Sequence, residues 1–118
     1  MMNGHFGPQF SVSRAVASAV TLFAACFVLA APTRAQAAGT LFKTKCAACH
    51  GPDGKGETTM GKANGLRDLS SADVQKQSDE ELATIITAGK GKMAAYGKSL
   101  KPEQVKELVA YIRSLAKK

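Results

Sequence analysis

Two cysteines and a histidine, in the run Cys46-Ala47-Ala48-Cys49-His50, carry the clearest chemistry in the sequence. In C-x-x-C-H the thiols stand about one helical turn apart, within reach of two vinyl groups along one edge of a porphyrin. The histidine that follows lies beneath the ring, with its imidazole available to iron. Two thioether anchors and one borderline nitrogen ligand, in that order, form the attachment signature of c-type haem. A bare C-x-x-C would suit zinc or a thiol redox pair equally well. His50 and the absence of a second cysteine pair favour haem over both. A disulfide between Cys46 and Cys49 is the plain alternative in an oxidising compartment, but it leaves His50 without a purpose.

Iron held from one face needs a second axial ligand. Met93 stands in the irregular stretch Gly89-Lys90-Gly91-Lys92-Met93-Ala94-Ala95-Tyr96-Gly97, where flanking glycines let it approach a buried metal. Alone, such a methionine reads as a gap-filler; downstream of a haem motif it reads as a ligand. Met60 lies about ten residues past His50, within reach of an extended chain. Its neighbours are Glu57, Thr58, Thr59 and Lys62, and it precedes every residue that could build a pocket wall. Tyr96 either packs on the haem edge or closes the loop.

The elements that must position these residues read as helices. Thr40 is expected to cap a short helix carrying Leu41, Phe42 and Lys45 into the haem motif. Gly51-Pro52-Asp53-Gly54-Lys55-Gly56 opens a long loop, which in so small a domain calls for a ligand to wrap. Its G-x-G-K run lacks the preceding strand and spacing of a phosphate loop. Leu66 and Leu69 are the next apolar points, and Ser70 or Ser71 can cap a helical turn through Val74. Ser78-Asp79-Glu80-Glu81 forms a capping box with acids where the helix dipole favours them. Leu82, Ile85 and Ile86 give that helix its apolar stripe, and Gly89 its stop. Pro102 opens a last helix behind a poor cap, Lys101. Val105, Leu108, Val109, Ile112 and Leu115 face the core there, with Lys106, Glu107 and Arg113 turned outward. Lys117 and Lys118 suit the negative end of its dipole. No convincing strand and no repeat occurs, so the class is all-α.

The first third reads differently. Arg14 flanks an apolar run from Ala15 to Ala31, Pro32 breaks it, and Ala35-Gln36-Ala37 offers small residues to a signal peptidase. Residues 1–37 are therefore expected to be a cleaved signal peptide and 38–118 the mature domain, with cleavage after Ala35 or Ala38 as near alternatives. An uncleaved anchor is the competing reading, although about 17 helical residues span only ~26 Å. Cys26 sits inside the run and reads as a small apolar residue of that leader, not as a lipid attachment point. The mature chain would then keep Cys46, Cys49 and one histidine, His50, too few for a four-ligand zinc site. Its formal charge falls from +7 to +5 as Arg14 and Arg34 depart. Lysines outnumber arginines and no basic block alternates with aromatics, which argues against nucleic acid and for docking to acidic proteins. A core of roughly 80 residues is small, and a covalent haem would supply apolar bulk.

Phe42, the run Cys46 to Gly51, Ser78 to Ile86, Met93 and Val109-Ala110-Tyr111-Ile112-Arg113-Ser114-Leu115 together resemble a small monohaem class I cytochrome c, over essentially the whole mature chain. The resemblance implies three main helices plus short helical turns and loops around one haem c, joined through Cys46 and Cys49. It implies first and last helices crossing near Gly39, Phe42 and Tyr111, axial ligands His50 and Met93, and a soluble electron carrier, not an enzyme; the leader points to the periplasm, with a thylakoid lumen or a membrane anchor as the alternatives. Redox proteins are its implied partners, with no stable membrane insertion once the leader is gone. Two departures stand out: Ala94 replaces the proline common after the ligand methionine, and no proline near Lys62 to Asn64 offers a carbonyl to orient His50. The rival classes, a gas-binding protein and a weak peroxidase, both need an open iron position.

Overall fold

In the computed structural model Met1 and residues 31–116 are described. Pro32–Lys118 forms one compact unit. The apolar run with Cys26 lies outside the described residues except for Ala31, as do Lys117 and Lys118.

Thr33, not Thr40, starts the first helix, α1 (Arg34–Lys45). The Thr33 hydroxyl accepts from the Gln36 N–H, and the Gln36 side chain accepts from the Thr33 N–H at 2.9 Å. That reciprocal box upstream satisfies the helix's first donors, so Thr40 falls inside it and loses the capping role expected of it. Four short or medium helices follow: α2 (Ala47–His50), α3 (Thr59–Ala63), α4 (Ala72–Gln75) and α5 (Asp79–Ala88). α3 lies within the stretch expected to be loop, capped by the Thr58 hydroxyl. Ser71 is the cap residue of α4 but makes no side-chain capping bond. Ser78 and Glu81 cap α5 reciprocally, and Gly89 ends it, as their spacing predicts. Pro102 opens α6 (Pro102–Leu115), and the Gln104 side chain accepts from the Lys101 N–H in place of a conventional cap. Among the described residues the only strand-like feature is an isolated antiparallel bridge between Lys90 and Met93.

The core forms where α6 crosses α1 and α5. Phe42 of α1 and Leu108 of α6 are each 1% exposed, and Val74, Leu82, Ile86 and Ile112 pack around them. At the α1–α6 crossing a Cβ on Gly39 would stand 3.3 Å from the Tyr111 ring, while Phe42 and Tyr111 rings lie 5.0 Å apart. The small residue lets the backbones close and the aromatic pair fills the space beside it. This is the crossing that Gly39, Phe42 and Tyr111 suggested.

Arg113 departs from its expected outward position. Its guanidinium donates to the Gln75 carbonyl at 2.7 Å, to the Gln77 carbonyl and to the Asp79 carboxylate at 2.9 Å. Gln75 in turn donates from Nε2 to the Leu69 and Ile112 carbonyls at 2.7 and 3.0 Å. The segment between α4 and α5 has few apolar residues of its own, so its carbonyls need these donors from α6.

Candidate haem site

Cys46 is the joint between α1 and α2. Its N–H donates to the Phe42 carbonyl at 2.8 Å, and its own carbonyl accepts from Cys49 at 3.2 Å and His50 at 2.9 Å. The motif is therefore wound as a helical turn, which puts Cys46, Cys49 and His50 on neighbouring rungs. Both thiols are free and half-buried. Burial, with a smaller contribution from Cys49, pushes the Cys46 thiol above its ordinary pKa, and burial pushes His50 below its own. His50 is thereby favoured as the neutral imidazole, the form that ligates a metal.

The glycine loop folds back beneath the motif. The His50 carbonyl accepts from the Gly56 N–H at 2.7 Å, and the Thr58 hydroxyl donates to the Cys49 carbonyl at 2.7 Å. No carbonyl takes up the His50 ring: Nδ1 is buried and has no hydrogen-bond partner. Among the described residues no carbonyl therefore stands in for the proline missing near Lys62 to Asn64.

Met93 reaches the same place from the far side. α5 ends at Gly89 with φ 75° and ψ 167°, a conformation almost exclusive to glycine. A Cβ there would lie 2.5 Å from the Met93 carbonyl. The chain then turns at Gly91, and Lys90 and Met93 exchange backbone hydrogen bonds of 3.3 and 3.0 Å. Tyr96 secures the end of this loop: its hydroxyl donates to the Lys45 carbonyl at 3.1 Å, and its N–H to the Ile86 carbonyl at 3.0 Å. It thus ties the methionine loop both to the last residue of α1 and to α5. Nothing in the sequence marked that pairing, which spans residues far apart in the chain.

Two adjoining cavities, of about 180 and 140 Å³, open between these elements. Cys46, His50, Leu66, Met93 and Tyr96 line both. Cys49 lines the smaller, and Leu82, Ile86 and Leu108 are among the apolar walls of the larger. Met60 lines neither and is 56% exposed on α3. The residues fit a haem: free thiols at one end, an imidazole and a thioether on a shared cavity, and a largely apolar wall behind them. Among the described residues no cluster of three or more His, Cys, Asp or Glu side chains offers a separate metal site.

Comparison with known proteins agrees with that fit. A family model described as cytochrome c oxidase, cbb3-type, subunit III matches residues 33–112. Cytochrome c6 of Gloeothece citriformis is 33% identical over 81 residues, covering 66% of this chain and 68% of that protein. The cbb3-type cytochrome c oxidase subunit CcoP of Rubrivivax gelatinosus is 39% identical over 85 residues, which are 69% of this chain but only 27% of the subunit. The solved KustC0563 c-type cytochrome superposes with a TM-score of 0.62 at 35% identity, covering 66% of this chain and 95% of its own. With an all-α fold closing over a C-x-x-C-H motif and these relatives on either side, the chain belongs to the cytochrome c family, as a small class I member.

Proposed function

We propose that this cytochrome carries single electrons through one haem c, joined by thioethers from Cys46 and Cys49 and ligated by His50 and Met93. The observation that carries the reading is that Cys46, His50 and Met93 all line both cavities. When bound, the haem supplies a one-electron iron couple. The chain's part is to hold it still. Cys46 and Cys49 fix one edge, α5 and α6 exclude water, and Tyr96 pins the methionine loop to α1. A Met93 thioether held on the iron together with His50 would favour the reduced state and raise the potential, as would the apolar wall. Iron held by both His50 and Met93 would offer no open position for gas binding or peroxide chemistry.

The same reading covers location and partners. Residues 1–37 would act as an export leader, whose removal also takes the Thr33–Gln36 box and leaves α1 to begin at Ala38, and residues 38–118 as a soluble periplasmic carrier. Among the described residues no helix is long and apolar enough to cross a membrane. The exposed lysines would dock acidic redox proteins. The likeness to an oxidase subunit makes an oxidase a suitable class of acceptor.

The test is a reduced-minus-oxidised spectrum of the purified protein, with acid-organic extraction and exposure to carbon monoxide. A haem that stays with the polypeptide, low-spin in both states and indifferent to carbon monoxide, is the expected result. Haem that washes out refutes covalent attachment, and carbon monoxide binding by the wild type refutes His/Met ligation.

A further inference from the structure

We propose that Thr58 is the positioning residue for His50: its hydroxyl fixes the peptide leading into the histidine and, through it, the plane of the imidazole. This rests on the haem reading above. An imidazole that ligates a metal is ordinarily held by an acceptor on its other nitrogen. His50 Nδ1 is buried and has no such partner, so the ring must take its direction from the backbone that carries it.

That backbone is held on both sides. In the peptide entering His50, the N–H donates to the Cys46 carbonyl at 2.9 Å, and the Cys49 carbonyl accepts from the Thr58 hydroxyl at 2.7 Å. In the peptide leaving it, the His50 carbonyl accepts from the Gly56 N–H at 2.7 Å, and the Gly51 N–H donates to the Ala47 carbonyl at 2.9 Å. Three of these bonds join backbone to backbone; the fourth depends on a side chain. α2 ends at Gly51, with φ 78°, which leaves the Cys49 carbonyl among the unpaired acceptors of a helix end. Thr58 supplies the donor that α2 lacks.

The hydroxyl is committed in both directions. Its oxygen accepts from the Gly61 N–H at 2.8 Å, which leaves its own hydrogen for the Cys49 carbonyl. The corner is tight: Gly61 is buried, and a Cβ on it would stand 2.6 Å from the Cys49 carbonyl oxygen. The first turn of α3 thus lies directly on the C-x-x-C-H turn, and Thr58 bridges the two. A plain helix cap is the bland alternative. Thr58 would then serve α3 alone, and any acceptor would do as well as a hydroxyl.

The haem methyl resonances of the oxidised holoprotein separate the two, because their paramagnetic shift pattern follows the orientation of the axial imidazole plane. Thr58→Val keeps the shape of the side chain and loses both bonds, so the pattern should change. Thr58→Ser keeps the hydroxyl and should reproduce the wild-type pattern. Thr58→Asp still accepts from the Gly61 N–H but has no proton to give at neutral pH, so it should also change the pattern. A wild-type pattern in Thr58→Val or in Thr58→Asp overturns the proposal, and so does a Thr58→Ser pattern displaced as far as that of Thr58→Val. Independently of any variant, the Thr58 hydroxyl proton of the reduced wild-type holoprotein should give a resonance of its own. A hydroxyl proton that merges with the water line also overturns it. Wild-type protein without covalent haem defeats the earlier reading; intact covalent haem with an indifferent Thr58 defeats only this one.

Discussion

Met93 and Met60 offer the same atom to iron from opposite circumstances. Met93 is half-buried, lines both cavities and is presented by a turn whose preceding glycine has no room for a side chain. Met60 projects from α3 with more than half its surface in solvent. Met93→Ala should therefore open the iron, admit carbon monoxide and lower the potential, while Met60→Ala should alter neither. Met93→His should restore six-coordination at a lower potential, since imidazole favours oxidised iron more than a thioether does. A sulfur-to-iron band in the near infrared that survives Met93→Ala and vanishes in Met60→Ala would reverse the assignment. Gly89 is coupled to the same event. Gly89→Ala forces a side chain into a backbone region that costs on the order of 1–3 kcal/mol and collides with the Met93 carbonyl. Its holoprotein should melt lower and show a fraction of carbon monoxide-reactive haem; an unchanged melt with inert haem would contradict this.

Helix ends and the contacts between helices decide how the site is held. α4 and α5 are joined by a polar segment whose carbonyls are taken up by Arg113 of α6. The Asp79 partner is 67% exposed and contributes little, so most of the arginine's worth lies in its bonds to backbone. Arg113→Ala should cost roughly 1–3 kcal/mol through unmet half-buried carbonyls, whereas Asp79→Ala should cost under about 1 kcal/mol. Thermal unfolding of the two variants decides it, and equal losses would return the weight to the ion pair. This clamp was illegible in the sequence, where helical spacing turned Arg113 outward. Periodicity reports which face a residue occupies, but a long side chain at the border of that face can bend back to a backbone acceptor. The α5 cap, the α6 stripe and the C-x-x-C-H turn were legible because each rests on neighbours within a few residues. The start of α1 was misplaced for a related reason: Thr33 and Gln36 make a local box, but they sit in the stretch assigned to the leader. Tyr96 and Lys45 lie 51 residues apart, and only the closed fold brings them together.

On the scale of the whole molecule the distribution of charge matters more than any one pair. Lys43, Lys45, Lys55, Lys62, Lys90, Lys92 and Lys98 are all exposed, and three of them, Lys45, Lys90 and Lys92, also line the cavities. An acidic partner drawn to that rim would approach the edge where Cys46 and Cys49 would hold the haem, which shortens the path for an electron. Attraction of this kind acts over about one Debye length, roughly 8 Å at physiological ionic strength, so it weakens steeply with salt. Lys106 provides the comparison: it is exposed on α6 and lines neither cavity. With an acidic redox partner, the bimolecular rate of the wild type should fall as salt rises. Lys45→Glu and Lys92→Glu should slow it and flatten its salt response, while Lys106→Glu, with the same change in net charge, should have a distinctly smaller effect. If all three variants lose rate equally, net charge alone steers the encounter and the rim has no special part. A wild-type rate indifferent to salt would remove electrostatic docking altogether.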